Sequence, residues 1–183
     1  MSGHAGYFPI LPRRRRADYP LVPDNLLPSS ANEARWAETW QELGQGAPTL
    51  AGLARVCSLS MATGGDKSLA LSPEAKAIMF AARKRAVIEV KGANRAFDAP
   101  GRMLAVYVET EPDRTLIFRS REDPVVTIRF LAGFRELCAA GLVMHHIYQE
   151  FSLTREGVDL AATVREPEVE SLLGLATEVG LHE

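Results

Sequence analysis

Hydrophobic positions along this chain follow two spacings, and the switch from one to the other recurs. From Ser72 to about Arg85, the apolar residues Ala75, Ile78, Met79 and Ala82 fall at i, i+3, i+4 and i+7, the stripe of an amphipathic helix. Ser72 supplies an N-cap hydroxyl, and Pro73 takes the first helical position, where its missing N–H is no loss. The period then drops to two in Ala86-Val87-Ile88-Glu89-Val90, a β-branched strand. A turn-rich stretch from Lys91 to Arg102, with Gly92, Asn94, Pro100 and Gly101, leads to a second strand, Met103 to Val108. After a further strand at Thr115 to Arg119, the same order returns. Asp123-Pro124 opens a helix with Thr127, Phe130, Leu131, Phe134, Leu137 and Cys138 inward, and Gly141 closes it. Leu142 to Met144 and Phe151 to Leu153 read as two short strands around a turn near His146 to Gln149, and Thr154 starts another helix. A closing helix is expected near Pro167 to Val179, apolar at Val169, Leu172, Leu173, Ala176 and Val179.

Upstream, Ser30 with Glu33 three residues on forms a capping box for a helix running to about Leu43, with Trp36, Trp40 and Leu43 on one face. Thr49 caps a short second helix whose Leu50, Leu53, Ala54 and Cys57 point inward, and Ser58 to Leu71 reads as loop. Residues 1–29 hold Pro9, Pro12, Pro20, Pro23 and Pro28, a density that forbids a helix and favours an extended arm.

Three helices, a strand, a loop and a strand is the order of a winged helix. The run Ala140-Gly141-Leu142-Val143, a hairpin, then Leu153-Thr154-x-Glu156-Gly157 resembles the C-terminal part of many bacterial winged-helix domains. Arg85-Ala86-Val87-Ile88 aligns with Ala140-Gly141-Leu142-Val143 at an offset of 55 residues. The expectation is therefore an α+β chain of tandem winged-helix-like units: an arm at 1–29, a first unit at 30–110 and a second at 111–183. That layout is similar to accessory subunits of SMC-type complexes.

With 46% hydrophobic residues in 183, the chain can bury a core. No apolar run approaches the ~20 residues that span a bilayer, and the N-terminus lacks a signal-peptide pattern. Cys57 and Cys138 both sit in apolar helical contexts, as unpaired thiols of a reducing compartment do, so a cytoplasmic location is expected. Neither has a second cysteine at metal-ligand spacing, and no metal or other cofactor is expected.

Charge is unevenly placed. Residues 1–92 carry 12 Lys+Arg against 8 Asp+Glu, net +4, whereas residues 93–183 carry 9 against 15, net −6. On the helix from Ser72, the face opposite the apolar stripe shows Lys76, Phe80, Arg83 and Lys84, and in a winged helix this face enters the major groove. Lys91, Arg95 and Arg102 in the wing, with Arg13, Arg14, Arg15 and Arg16 in the arm, extend the strip, so DNA is the first partner expected. The second partner is a protein, another subunit or a second copy. Tyr7 and Phe8 offer anchors in the arm, and the later helix turns Val125, Arg129, Ala132 and Glu136 outward, a mixed, partly apolar face that suits a protein better than phosphates. A continuous positive strip over Lys76, Arg83, Lys84 and the wing favours DNA; a broken one favours an adaptor or scaffold.

Catalytic patterns are weak. Glu89-Val90-Lys91 at a strand end resembles the Glu-x-Lys element of PD-(D/E)xK nucleases, which implies metal-dependent phosphodiester cleavage, but the upstream acid would have to be Asp66, with a helix intervening. His145 and His146 are adjacent, and neighbours in a strand point to opposite faces. Gly64-Gly65-Asp66-Lys67-Ser68 lacks the glycine spacing of a phosphate loop and reads as a turn. The sequence therefore points to a non-enzymatic binding protein.

Overall fold

A computed structural model describes residues 48–92 and 99–180 of the chain. The expected arm with Tyr7, Phe8 and Arg13 to Arg16, the capping-box helix, and Arg95 in the wing lie outside the described residues.

Helix α1, Pro48–Thr63, is longer than expected, absorbing Ser58 to Thr63. The hydroxyls of Ser58 and Thr63 donate to the carbonyls of Ala54 and Leu59 one turn back, so these polar residues sit inside the helix without competing with it. Helix α2, Pro73–Ala82, starts where its caps demand: the Ser72 hydroxyl accepts from the Ala75 N–H at 3.2 Å. Strand β1, Val87–Lys91, follows, then one helical turn α3, Ala99–Arg102, and the hairpin β2, Ala105–Glu111, and β3, Arg114–Phe118. Asp123 caps α4, Pro124–Ala139, which leads into β4, Val143–His145, and β5, Glu150–Leu153. The chain then forms α5, Arg155–Ala161, α6, Glu166–Leu173, and β6, Thr177–Gly180.

The last element corrects the expected closing helix, which stops at Leu173. Gly174 caps it, and Thr177 and Val179 join the free edge of β3, where the period-two pattern of the strand replaces the helical one.

Among the described residues all pairings are antiparallel, and the six strands lie in the order β4-β5-β1-β2-β3-β6. The β4–β5 hairpin abuts β1, with Ile88 opposite both Phe151 and Val108. The boundary expected at 110/111 falls inside β2, and residues on both sides of it share one sheet and one core. The mixed helix-and-sheet composition is an α+β fold. The 55-residue echo is visible locally: Ala86 (φ 60°) and Gly141 (φ 72°) are equivalent left-handed residues, each turning the chain from a helix into a strand. Only glycine enters that region without strain. Ala86→Val is expected to lower stability by about 1–2 kcal/mol in urea unfolding, and Ala86→Gly not to lower it; equal curves for all three would contradict the strained turn.

Strand alternation places Ile88, Val90, Val106, Val108, Phe118, Phe151 and Leu153 on one face, under the helices. There α2 is enclosed by α4, α5, α6 and β2. A Cβ on Gly133 of α4 would lie 2.7 Å from the Ala75 nitrogen, so glycine is what lets α4 and α2 approach this closely.

Candidate functional site

The helix expected to read DNA is interior. Eight of its ten residues, Glu74, Ala75 and Ala77 to Ala82, are buried. Phe80, placed by the sequence on an outward face, is only 6% exposed. The helix is apolar on every side but one, and packing against α4 and α6 occupies the flanks that a simple two-sided helix would leave to solvent.

The cations around it are engaged within the chain. Arg83 folds back so that its guanidinium lies 3.5 Å from the Phe80 ring centre, and it also donates to the Phe80 carbonyl. Lys84 faces Glu111 at 3.9 Å, Arg85 bridges to Glu109 at 2.7 Å, and Lys91 pairs with Glu89. A hollow of about 220 Å³ beside Phe80 sets Arg83, Lys84 and Arg114 against Glu111, Glu166 and Glu178. Arg114 there is held further above its usual arginine range by the charge of Glu178 and by bonding to Glu111. Such a charge-balanced hollow is a poor seat for phosphate. Of the expected DNA-contact residues that are described, Lys76 is half-buried and Arg102 exposed, and neither has a carboxylate partner among the described residues. Among the described residues the positive strip is broken.

The nuclease constellation is not assembled either. Glu89 and Lys91 project on the sheet face opposite the helices, level with Tyr107 and Ala105. Asp66 lies in the loop after α1, its N–H donating to the Ala139 carbonyl. Its carboxylate accepts from the Ser68 hydroxyl (2.7 Å) and N–H (3.0 Å), which hold it below the usual carboxylate range. No group of three His, Cys, Asp or Glu placed to hold a metal ion occurs among the described residues. His145 and His146 use their ring nitrogens on the Tyr148 carbonyl and the Ser152 hydroxyl. Cys57 and Cys138 are both buried and free, and burial pushes the Cys138 thiol well up, away from reactivity.

No family model, curated protein or solved structure matches this chain. Function must therefore be read from its surface.

Among the described residues, several large apolar side chains also stand exposed. Val125, expected at a partner contact, is 58% exposed, and Ile128, one turn on and absent from the sequence reading, is 54% exposed. Arg129, by contrast, is half committed: it pairs with Glu74, a carboxylate buried beside the start of α2. Glu136 accepts the Ser72 N–H at 2.8 Å and so serves the cap of α2. The outward face of α4 is accordingly more apolar than its sequence suggested. On α1, Leu59 and Met61 are also exposed, in the stretch that the sequence read as loop. Ile147 and Tyr148 stand out at the β4–β5 turn, with Tyr148 left-handed at φ 49°. Ile128 follows the outward Val125 at i+3, and nothing in the local sequence marks Leu59.

Proposed function

We propose that this chain is a non-enzymatic protein-binding subunit, an adaptor within a larger assembly, and that it works in the cytoplasm. The observation carrying the reading is the contrast between two helices. The cationic candidate, α2, is sealed in the core, while α4 turns Val125 and Ile128 to solvent on a rigid scaffold. Exposed branched aliphatic residues grouped on one helix face fit a protein contact. The reducing location rests on two buried, unpaired thiols; among the described residues no helix is long and apolar enough to cross a membrane. The DNA reading is left with Lys76 and Arg102 as its described contacts, and the nuclease reading with one carboxylate.

Two measurements test the adaptor reading together. Isolated from its source under gentle conditions, the chain is expected to carry a polypeptide in fixed stoichiometry. Titrated onto duplex DNA at about 50 and 200 mM salt, it is expected to bind weakly and with little salt dependence, far from the ~10³-fold or greater loss that six or more phosphate contacts produce. Tight, steeply salt-dependent DNA binding with no associated polypeptide would overturn it.

A further inference from the structure

We propose that the groove between α1 and α4 receives an amphipathic helix with an acidic rim, supplied by a partner protein. This rests on the adaptor reading and gives its contact a location and a chemistry.

The groove follows from how the two helices meet. The Ser60 hydroxyl donates to the Ala139 carbonyl at 3.2 Å, and Asp66 N–H donates to the same carbonyl, so the C-terminal ends of α1 and α4 lie together. Both helices bury a cysteine beneath, Cys57 and Cys138. Ser60 fixes which flank of α1 faces α4, and one turn back on that flank is Val56, with Gly52 and Leu59 above it. On α4, Leu131 lies two turns before Cys138, with Ile128 above it. Val56 and Leu131 are half-buried and packed on the core, forming the floor. Leu59, 64% exposed, and Ile128 form the walls. Among the described residues a Cβ built on Gly52 meets nothing within 4 Å, so they leave the groove open at that end. Apolar residues three and four apart on two neighbouring helices make the surface that accepts a third helix through anchors at i, i+3, i+4 and i+7.

Charge selects the occupant. Helix α1 contains no carboxylate, and its one charged residue, Arg55, is exposed. Of the charged residues of α4, Arg129 and Glu136 are engaged with the start of α2, leaving Arg135 exposed. Neither Arg55 nor Arg135 has an ion pair among the described residues. An apolar groove whose α1 wall has no carboxylate, whose α4 carboxylate Glu136 is already engaged, and which carries two unneutralised cations complements a helix with an apolar stripe flanked by Glu or Asp. A two-fold contact with a second copy would set these cations against themselves. Nucleic acid would bring phosphates onto Leu59 and Ile128, which offer them nothing.

The probes are two fluorescein-labelled helical peptides of about 18 residues with identical Leu and Ile stripes, one rimmed with glutamate and one with lysine. Against the full chain, fluorescence anisotropy is expected to show the glutamate peptide binding at least about tenfold more tightly than the lysine peptide. Ile128→Asp is expected to weaken it about tenfold or more, and Arg55→Glu with Arg135→Glu to reverse the preference. Gly52→Trp fills the open end without touching the core, so it is expected to block binding while circular dichroism stays as in the wild type and thermal stability is not lowered.

Equal binding of both peptides, or undiminished binding to the Gly52→Trp chain, overturns the proposal. So does displacement of the glutamate peptide by duplex DNA, or by a dimer of the chain that Ile128→Asp dissociates. If a co-isolated polypeptide survives both Ile128→Asp and Gly52→Trp, the groove is wrong and the adaptor reading stands. If only nucleic acid is co-isolated, the adaptor reading itself falls.

Discussion

Phe134→Ala is expected to lower the unfolding free energy by about 3–5 kcal/mol, measured by urea denaturation with the m-value held in view. Phe134 is fully buried at the centre of α4, and its ring meets Phe151 of β5 edge-on, with centroids 5.1 Å apart and planes at 87°. Truncation removes the transfer free energy of the ring and the aromatic contact together. The surrounding residues, Phe130, Leu137 and Phe151, are held by a helix and a sheet that cannot collapse into the gap, so a cavity term adds to the loss. Phe134→Leu keeps most of the volume and is expected to cost less than half as much. A change below about 1.5 kcal/mol for the alanine variant would mean that α4 is not seated on the sheet through this residue. The outcome bears on function because α4 carries Val125 and Ile128, and the rigidity of that face depends on the seat beneath it.

Much of the architecture was legible where a local rule decides it. Ser72-Pro73, Asp123-Pro124 and Thr154 each open a helix because side-chain oxygens satisfy N–H groups that no other part of the chain supplies: Ser72 bonds Ala75, Asp123 bonds Val125 and Thr154 bonds Gly157. Strands were expected at 86–90, from its period of two, and at 103–108 and 115–119, and they lie at 87–91, 105–111 and 114–118. What escaped depends on residues distant in the chain. Whether Arg85 faces solvent or Glu109 is settled by the pairing of β1 with β2, and whether Arg114 is free is settled by β6 arriving beside it.

The sealing of α2 was partly visible and was missed. Of the ten residues Pro73–Ala82, only Glu74 and Lys76 are charged, and the cations Arg83 to Arg85 come after the last turn. A helix apolar on nearly all sides belongs in an interior. The stripe of Ala75, Ile78, Met79 and Ala82 identified one buried face correctly, but Ala77, Phe80 and Ala81 required a second and third neighbour, which α4 and α6 supply. The candidate surface moved for the same reason: once α4 gives Arg129 and Glu136 to the start of α2, what remains outside is aliphatic.

Gly157→Ala is expected to cost about 2–4 kcal/mol, although alanine is the better helix former. Gly157 lies in the first turn of α5, where its N–H donates to the Thr154 hydroxyl at 3.1 Å. The Thr154 N–H in turn donates to the Leu142 carbonyl, and the Thr154 hydroxyl to that of Gly141, so the start of α5 is clamped to the corner between α4 and β4. A Cβ at position 157 would stand 2.2 Å from the Leu142 oxygen, a backbone atom that cannot rotate aside. Relief requires α5 to lift from that corner, breaking the clamp and uncovering Ala161. The same substitution at Gly52 of α1, where nothing lies within 4 Å, is expected to raise stability by about 0.5–1 kcal/mol. The two variants differ only in position, so propensity alone predicts the same sign for both. Opposite signs in parallel denaturation curves identify close backbone approach as the cause, and a stabilised Gly157→Ala chain would show that α5 does not rest against β4 as described. Because the groove between α1 and α4 opens at Gly52, the tolerance of that position also establishes that larger residues can be placed there as probes without disturbing the core.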